Sequence, residues 1–425
     1  MKKLLTKTYW ILLILPIIFN ISIFAQPSEY AVSKYTQNII TVGGSNADIQ
    51  GYSSDAVQIA LDAIKARGEG TVKLNPGKFL ITRPLRISSG TLLTGSGTET
   101  ILQKCDGFKT KISSDIDSPS CEAVVEDASG FKVGMGIMIF DDSNNQTWAV
   151  STAKITSIKG NKINFDRETA RKYSVSKNGI VSNGCSIIEG MYVIDVKITD
   201  LTIEGNKETN DYINGCRGGG IYFYNAKSCL LENIKVNGFS GDSYSWQITQ
   251  NISIKNCEAS NAKGIGFHPG SGSYYTVLEN CSTHHNSSDG IYLCWMVQYG
   301  IFKNNKIHNN GQFGISIGYK DTDNTFLNNH IYESARHGVN FREKTEELCG
   351  HRNTFKNNII ENNGMSQESY GFYIGGLTHN IVIENNTISS SEKGNQKAAV
   401  WIGKETSKIT IINNKIVGHR ETIKE

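Results

Sequence analysis

The sequence predicts an all-β fold: a right-handed parallel β-helix with an N-terminal capping helix and a small inserted β subdomain. Three observations predict it. A strand motif recurs eight times in the second half of the chain, an asparagine recurs in step with it, and one helical pattern precedes both. Self-similarity at a short period is the mark of a solenoid, in which each coil buries its apolar side against the next.

The repeat reads "GGIYFYN", "DSYSWQI", "KGIGFHP", "DGIYLCW", "FGISIGY", "HGVNFRE", "YGFYIGG" and "AAVWIGK". Aligned on Gly220, the equivalent positions are Ser243, Gly264, Gly290, Gly314, Gly338, Gly371 and Ala399, spaced by 21 to 33 residues. Within each strand, alternate residues face opposite sides. Ile291 and Leu293 face the core, while Tyr292 and Cys294 face out. The second column is Asn233, Asn256, Asn280, Asn304, Asn328, Asn357, Asn385 and Asn413. Stacked amides can bond along such a column, and asparagine tolerates the left-handed backbone of a tight turn. Cys257 and Cys281 follow two of these asparagines and are expected to stack in the interior. Right-handedness follows from the general preference of parallel connections.

Four segments result. Residues 1–25 read as a secretory signal peptide, with Lys2, Lys3 and Lys7 ahead of the apolar run "WILLILPIIFNISIFA". The run is broken by Asn20, so no membrane span is expected, and the chain is placed outside the cell or in the periplasm. Residues 26–104 hold the helix "SSDAVQIALDAIKARGEG", with a Ser/Asp start and a Gly stop, and the first coils "GTVKLNPGKFLI" and "GTLLTGSGTETIL". The helix is expected to cover the open end of the coil. Residues 105–185 break the rhythm and read as an inserted β subdomain, a wall beside the groove; 186–425 carry the main coils. The net charge of +3 is 43 basic minus 40 acidic residues, and removing the three signal lysines leaves none. A neutral mature chain excludes a polybasic nucleic-acid or membrane partner. The nine cysteines show neither CxxC spacing nor an evident disulfide framework.

The outward column places chemistry on one face. After each strand the next outward residue reads Tyr224, Gln247, His268, Cys294, Gly318, Arg342, Gly375 and Gly403. His268, Cys294, Gly318 and Arg342 then span three coil steps, about 14 Å, the length of a few sugar units. Tyr222, Tyr292, Tyr373 and Trp401 face out at mid-strand, and Trp295, Tyr319, Lys320, Asp321, Asp323, Glu343 and His351 lie in the turns beyond. The candidate catalytic groups are His268, Lys320, Arg342, Glu343, Asp321 and Tyr292. The candidate substrate-binding groups are Tyr222, Tyr224, Gln247, Trp295, Tyr319, Asp323, His351 and Tyr373. Asp242 and Asp289 share a position before their strands, with Lys263 read between them, as a stacked ion pair or a cation site. No metal site is expected, because His268, Cys294, Cys349 and His351 lack metal-ligand spacing.

The helix, the early coils and the repeat together resemble the pectate-lyase-like superfamily of secreted carbohydrate-active enzymes over most of the mature chain. Alginate C5-epimerases of that superfamily carry a strand reading Gly-Tyr-Gly-Phe-Asp-Pro-His. Here it reads Gly264, Ile265, Gly266, Phe267, His268, Pro269, Gly270, with the proline kept, His268 at the catalytic aspartate position and Gly270 at the catalytic histidine position. The resemblance implies an anionic glycan substrate and β-elimination on a uronic acid, by a polysaccharide lyase or an oligosaccharide dehydratase. In that chemistry a base takes the C5 proton and a cation neutralises the carboxylate. His268 is the expected base, Arg342 and Lys320 the neutralising groups, and Tyr292 or Tyr319 the proton donor. No cofactor is demanded, although Ca²⁺ is one ion that could neutralise the carboxylate. Glycoside hydrolysis through Asp321 or Asp323 with Glu343 is the alternative. C5-epimerisation and glycan binding without catalysis remain open.

Overall fold

The computed structural model describes Tyr35 and residues 38–144 and 147–424; the proposed signal segment lies outside the described residues. Two long parallel sheets, of 22 and 11 strands, run along the coil. The 11-stranded sheet starts at Leu85–Arg86 and ends at Glu421–Lys424, and it contains all eight repeated strands. A parallel β-helix is therefore the observed architecture.

Its interior is built from identical side chains stacked coil on coil. Phe302, Phe326 and Phe355 stack with centroids 4.8 and 4.5 Å apart. Ile291, Ile315 and Val339 succeed one another in register along the other sheet. The helix Ser54–Arg67 covers this core at its N-terminal end. Ser53 caps it by accepting from Ala56 N at 3.2 Å, Gly68 ends it at φ 89°, and Val57, Ala60, Leu61 and Ile64 are buried against the first strands. Among the described residues no helix is long and apolar enough to cross a membrane.

The asparagine column divides into two. The expected residues, Asn233 through Asn413, all have φ between 52° and 58° and supply the left-handed turn. The continuous amide ladder lies one residue later and is buried from Asn305 to Asn386. Asn305 Nδ2 donates to Asn329 Oδ1 at 2.9 Å, Asn329 to Asn358 at 3.0 Å, Asn358 to Asn386 at 2.9 Å and Asn386 to Asn414 at 3.0 Å. Cys257 and Cys281, buried as expected, occupy the same column, and Cys281 N donates to Asn305 Oδ1 at 2.9 Å. An αL residue points its side chain to solvent, so the residue after it turns inward.

The region 105–185 is a separate antiparallel sheet of six strands, from Lys109–Lys111 to Ile180–Ser182, with its own apolar cluster around Ile137, Ile155, Ile163 and Val181. Cys185 and Pro84 pack against Gly136, where it meets the coil.

Candidate active site

The observed register corrects one coil of the sequence alignment. Tyr244 pairs with Phe267, and Phe267 with Ile291. Gly266, not Gly264, is thus equivalent to Gly220, and the irregular spacings around it become 23 and 24 residues. A slip of two residues keeps the face and changes the column. His268 belongs to the mid-strand column Tyr222, Ser245, His268, Tyr292, Ser316, Asn340, Tyr373 and Trp401. Gly270 takes its place between Gln247 and Cys294. Lys263 likewise leaves the aspartate column; Ile265 lies between Asp242 and Asp289, and Lys263 Nζ binds Asn210 O at 3.1 Å.

His268 is buried rather than exposed at the groove, with 3% of its surface accessible. Pro269 and Gly270 continue the strand instead of turning away, because the strand runs Phe267–Gly270. Its Nδ1 lies 2.6 Å from Asp242 Oδ2, and Asp242 Oδ1 accepts from Ile265 N at 2.8 Å. Burial favours the neutral ring, but the Asp242 carboxylate and the Cys294 sulfur together outweigh it and hold the imidazole above its ordinary value. A turn at Asn214–Gly218 roofs the pair. Ser245 Oγ donates to Gly215 O at 2.6 Å and Tyr222 Oη to Cys216 O at 3.0 Å, so strand hydroxyls pin the turn down. Gly215 is required there: a Cβ would lie 1.9 Å from Asp242 Oδ2 and 2.3 Å from His268 Nδ1.

One coil on, Tyr292 meets the His268 ring edge to face at 5.5 Å, and the Arg342 guanidinium sits 4.3 Å from the phenol centroid. Burial raises the Tyr292 hydroxyl above its ordinary value, with Arg342 opposing the rise. Arg342 is anchored: Nη2 donates to Leu293 O at 2.6 Å and Asp321 Oδ2 at 3.2 Å, and Nη1 to Ser316 Oγ at 3.0 Å. Trp295 and Tyr319 stack at 5.2 Å, with Lys344 Nζ 4.3 Å from the Tyr319 centroid. Further along, Tyr373 and Trp401 stack at 4.2 Å and Tyr373 bonds Glu343.

The carboxylates expected for hydrolysis are all engaged by neighbouring groups. Asp321 is fully buried; its oxygens accept from Val297 N at 3.0 Å and Gly318 N at 2.9 Å. Burial pushes it up to about 7 against the pull of Arg342. Asp323 is engaged by Arg352 at 2.7 Å and Glu343 by Tyr373. His351 is structural as well: it stacks on His379 at 3.7 Å, and Nε2 donates to Glu346 O at 2.6 Å. Lys320 is exposed at a left-handed position, φ 67°. Gln247 is buried, its Nε2 donating to Ser245 Oγ at 3.0 Å.

The sequence model of the right-handed β-helix region matches residues 135–295 and 249–416. The chain belongs to this family. No curated protein matches its sequence. Among solved structures, this β-helix is similar to the A-module of mannuronan C-5 epimerase AlgE4 of Azotobacter vinelandii, with TM-score 0.57 and 17% identity over 88% of this chain and 93% of that one. The AlgE6 A-module of the same organism gives TM-score 0.58 and 16% identity over 88% and 91%. ORF18 of Geobacillus virus E2 gives 0.51 and 12% over 86% and 58%. At these identities the likeness is one of fold.

Sequence reading of this β-helix missed the contribution of the inserted sheet. Arg167 and Arg217 line a cleft of about 170 Å³ with Tyr192, Tyr222 and Tyr224 between the insert and the coil. Arg217 Nε donates to Trp148 O at 2.7 Å, and Thr152 Oγ1 to Arg217 O at 3.0 Å. Arg217 forms no ion pair among the described residues, whereas Arg167 pairs with Glu189 at 3.2 Å. The available signal was "NGCRGGG", since that density of glycine marks close backbone approach.

Proposed function

We propose that the protein is a carbohydrate-active enzyme that carries out β-elimination on a uronic acid residue of an anionic glycan. One observation carries the reading: Tyr292, a strand residue on the outer face, has a guanidinium on its ring and lies among aromatic platforms flanked by unpaired positive charge. Elimination needs those parts, namely a proton-transfer group, cations for the carboxylate and surfaces on which sugars stack.

In this reading Tyr292 reacts as its phenolate, which the Arg342 guanidinium on its ring favours against the opposing effect of burial; it takes the C5 proton and passes it to the departing O4, so the C4–O4 bond breaks as the C4–C5 double bond forms. Arg217 binds the carboxylate of a neighbouring uronate in the cleft beside Tyr222 and Tyr224, Lys320 and Lys344 add positive charge beside Tyr319, and Arg342 acts through the Tyr292 ring. Trp295, Tyr319, Tyr224 and the Tyr373–Trp401 pair carry neighbouring sugars. His268, covered by the Cys216 turn, passes the role of base to Tyr292 and positions its ring. The hydrolytic reading through Asp321, Asp323 and Glu343 loses its support, because those carboxylates are already engaged.

C5-epimerisation is the second reading, favoured by the likeness to mannuronan C-5 epimerase modules. It shares the first proton abstraction and differs in returning a proton to C5. A panel of uronate-containing glycans separates the outcomes. Elimination produces the near-ultraviolet absorbance of an unsaturated uronate; epimerisation produces C5 solvent exchange without it; hydrolysis produces reducing ends alone and contradicts both readings. Tyr292→Phe is expected to reduce turnover by about 10²- to 10⁴-fold, and Arg217→Met to raise KM more than it lowers kcat.

A further inference from the structure

Behind Tyr292 the fold gathers two thiols that the sugar chemistry does not use and the His268 imidazole, whose Nε2 takes no part in proton transfer. One ligand atom from each of Cys216, His268 and Cys294 lies within 4.8 Å of the other two. They come from three separate coils: the turn before strand Ile221–Tyr224, strand Phe267–Gly270, and the residues just beyond strand Ile291–Tyr292. Nδ1 of His268 is taken by Asp242, which leaves Nε2 as the nitrogen free to bind. That Nε2 is buried and has no hydrogen-bond partner. Gln247 Oε1 is a second buried atom without one. It lies beside Cys294, since a methyl built on Gly270 would be 2.5 Å from Gln247 Oε1 and 2.9 Å from Cys294 Cβ. Buried polar atoms are normally satisfied, so two orphans around a thiol call for a bound group.

We propose that Cys216, His268 and Cys294 bind one divalent ion of the zinc type. Thiolate and imidazole are the donors that zinc takes, whereas calcium takes oxygens. A tetrahedral zinc with metal–sulfur and metal–nitrogen bonds of about 2.3 and 2.0 Å sets neighbouring ligand atoms roughly 3.5–3.8 Å apart. A contraction of at most about 1.3 Å from the observed separations closes the site. Cys216 stands on a turn and can supply it. The Asp242–His268 bond is the outer partner typical of a metal-bound histidine: it fixes the ring and its tautomer. Three protein ligands leave a fourth position for water or a substrate oxygen, with Gln247 Oε1 placed to accept from it. On binding, the two thiols give up their protons to solvent as the metal–sulfur bonds form. Cys349 and His351 take no part, since Cys349 Sγ bonds Lys344 O at 3.1 Å and His351 bonds Glu346 O. The site is independent of the reaction assigned above.

The test titrates the reduced, chelator-stripped full-length chain with Zn²⁺ and, in parallel, Co²⁺. The expected result is one ion per chain and a Co²⁺ spectrum with thiolate-to-metal charge transfer and intense tetrahedral visible bands. Cys216→Ser, on the surface turn, should weaken binding at least 100-fold and reduce the charge-transfer intensity while the far-ultraviolet dichroism is unchanged. Cys294→Ser should do the same. Asp242→Asn should weaken binding about 10- to 100-fold and keep the spectrum, and Cys349→Ser should change nothing. Absence of stoichiometric binding by the reduced chain, or binding that survives both cysteine substitutions, would overturn the site. An unchanged affinity in Asp242→Asn would overturn the role of the aspartate.

Discussion

Asp289 is buried and accepts from Phe313 N at 2.9 Å, yet burial pushes its carboxyl up to about 6. A carboxyl raised in the fold binds its proton more tightly folded than unfolded. Its contribution therefore favours the fold at and below about pH 4 and is withdrawn as pH rises through 6. Asp289→Asn keeps the acceptor and removes the charge. The variant should gain thermal stability relative to the parent by up to about 3 kcal/mol at pH 7.5, about half of that at pH 5 and little at pH 3.5; an equal effect at pH 7.5 and pH 3.5 would contradict the burial argument. Gly215 makes a second residue-scale case. Gly215→Ala must displace the turn from Asp242 and His268, at about 1–3 kcal/mol by analogy with overpacking, read from the unfolding midpoint. At this scale the sequence identified His268 on the correct face. It could not show that the ring is roofed, because the roof comes from a turn two coils earlier.

Two adjacent asparagines in each coil do different work, and the difference is measurable. Asn329 is buried, donates to Phe302 O at 2.8 Å and accepts from Asn305 N at 3.0 Å. Its neighbour Asn328 is exposed at φ 55°. Asn329→Ala strands partners above and below and should cost about 3 kcal/mol in denaturant unfolding. Asn328→Ala meets the left-handed backbone cost, about 1 kcal/mol, and loses only a solvent-exposed bond from Nδ2 to Asn304 Oδ1 at 3.2 Å, and Asn328→Gly should be nearly neutral. Equal costs would contradict the assignment of the ladder. The period, the faces and the helix with both its caps were legible in the sequence because they repeat or carry local signals. The register of the Phe267–Gly270 strand was misread, because "GIGF" offers two glycines two residues apart and only the cross-strand partner chooses between them.

Across the whole molecule, the coil supplies a rigid sheet and the inserted sheet supplies what the coil lacks. Thr152 and Trp148 hold the Arg217 turn, so the insert fixes both the cationic cleft and the cover of His268. None of this was legible in residues 105–185, whose strands show pairing only within themselves. The central claim is that Tyr292 performs proton transfer on a uronate at this face. The most direct measurement compares unsaturated-uronate absorbance from the parent, Tyr292→Phe and Tyr319→Phe on a glycan that the parent consumes. Tyr292→Phe should lose at least 100-fold in kcat with binding retained, while Tyr319→Phe should change mainly KM. Full turnover by Tyr292→Phe would contradict the account.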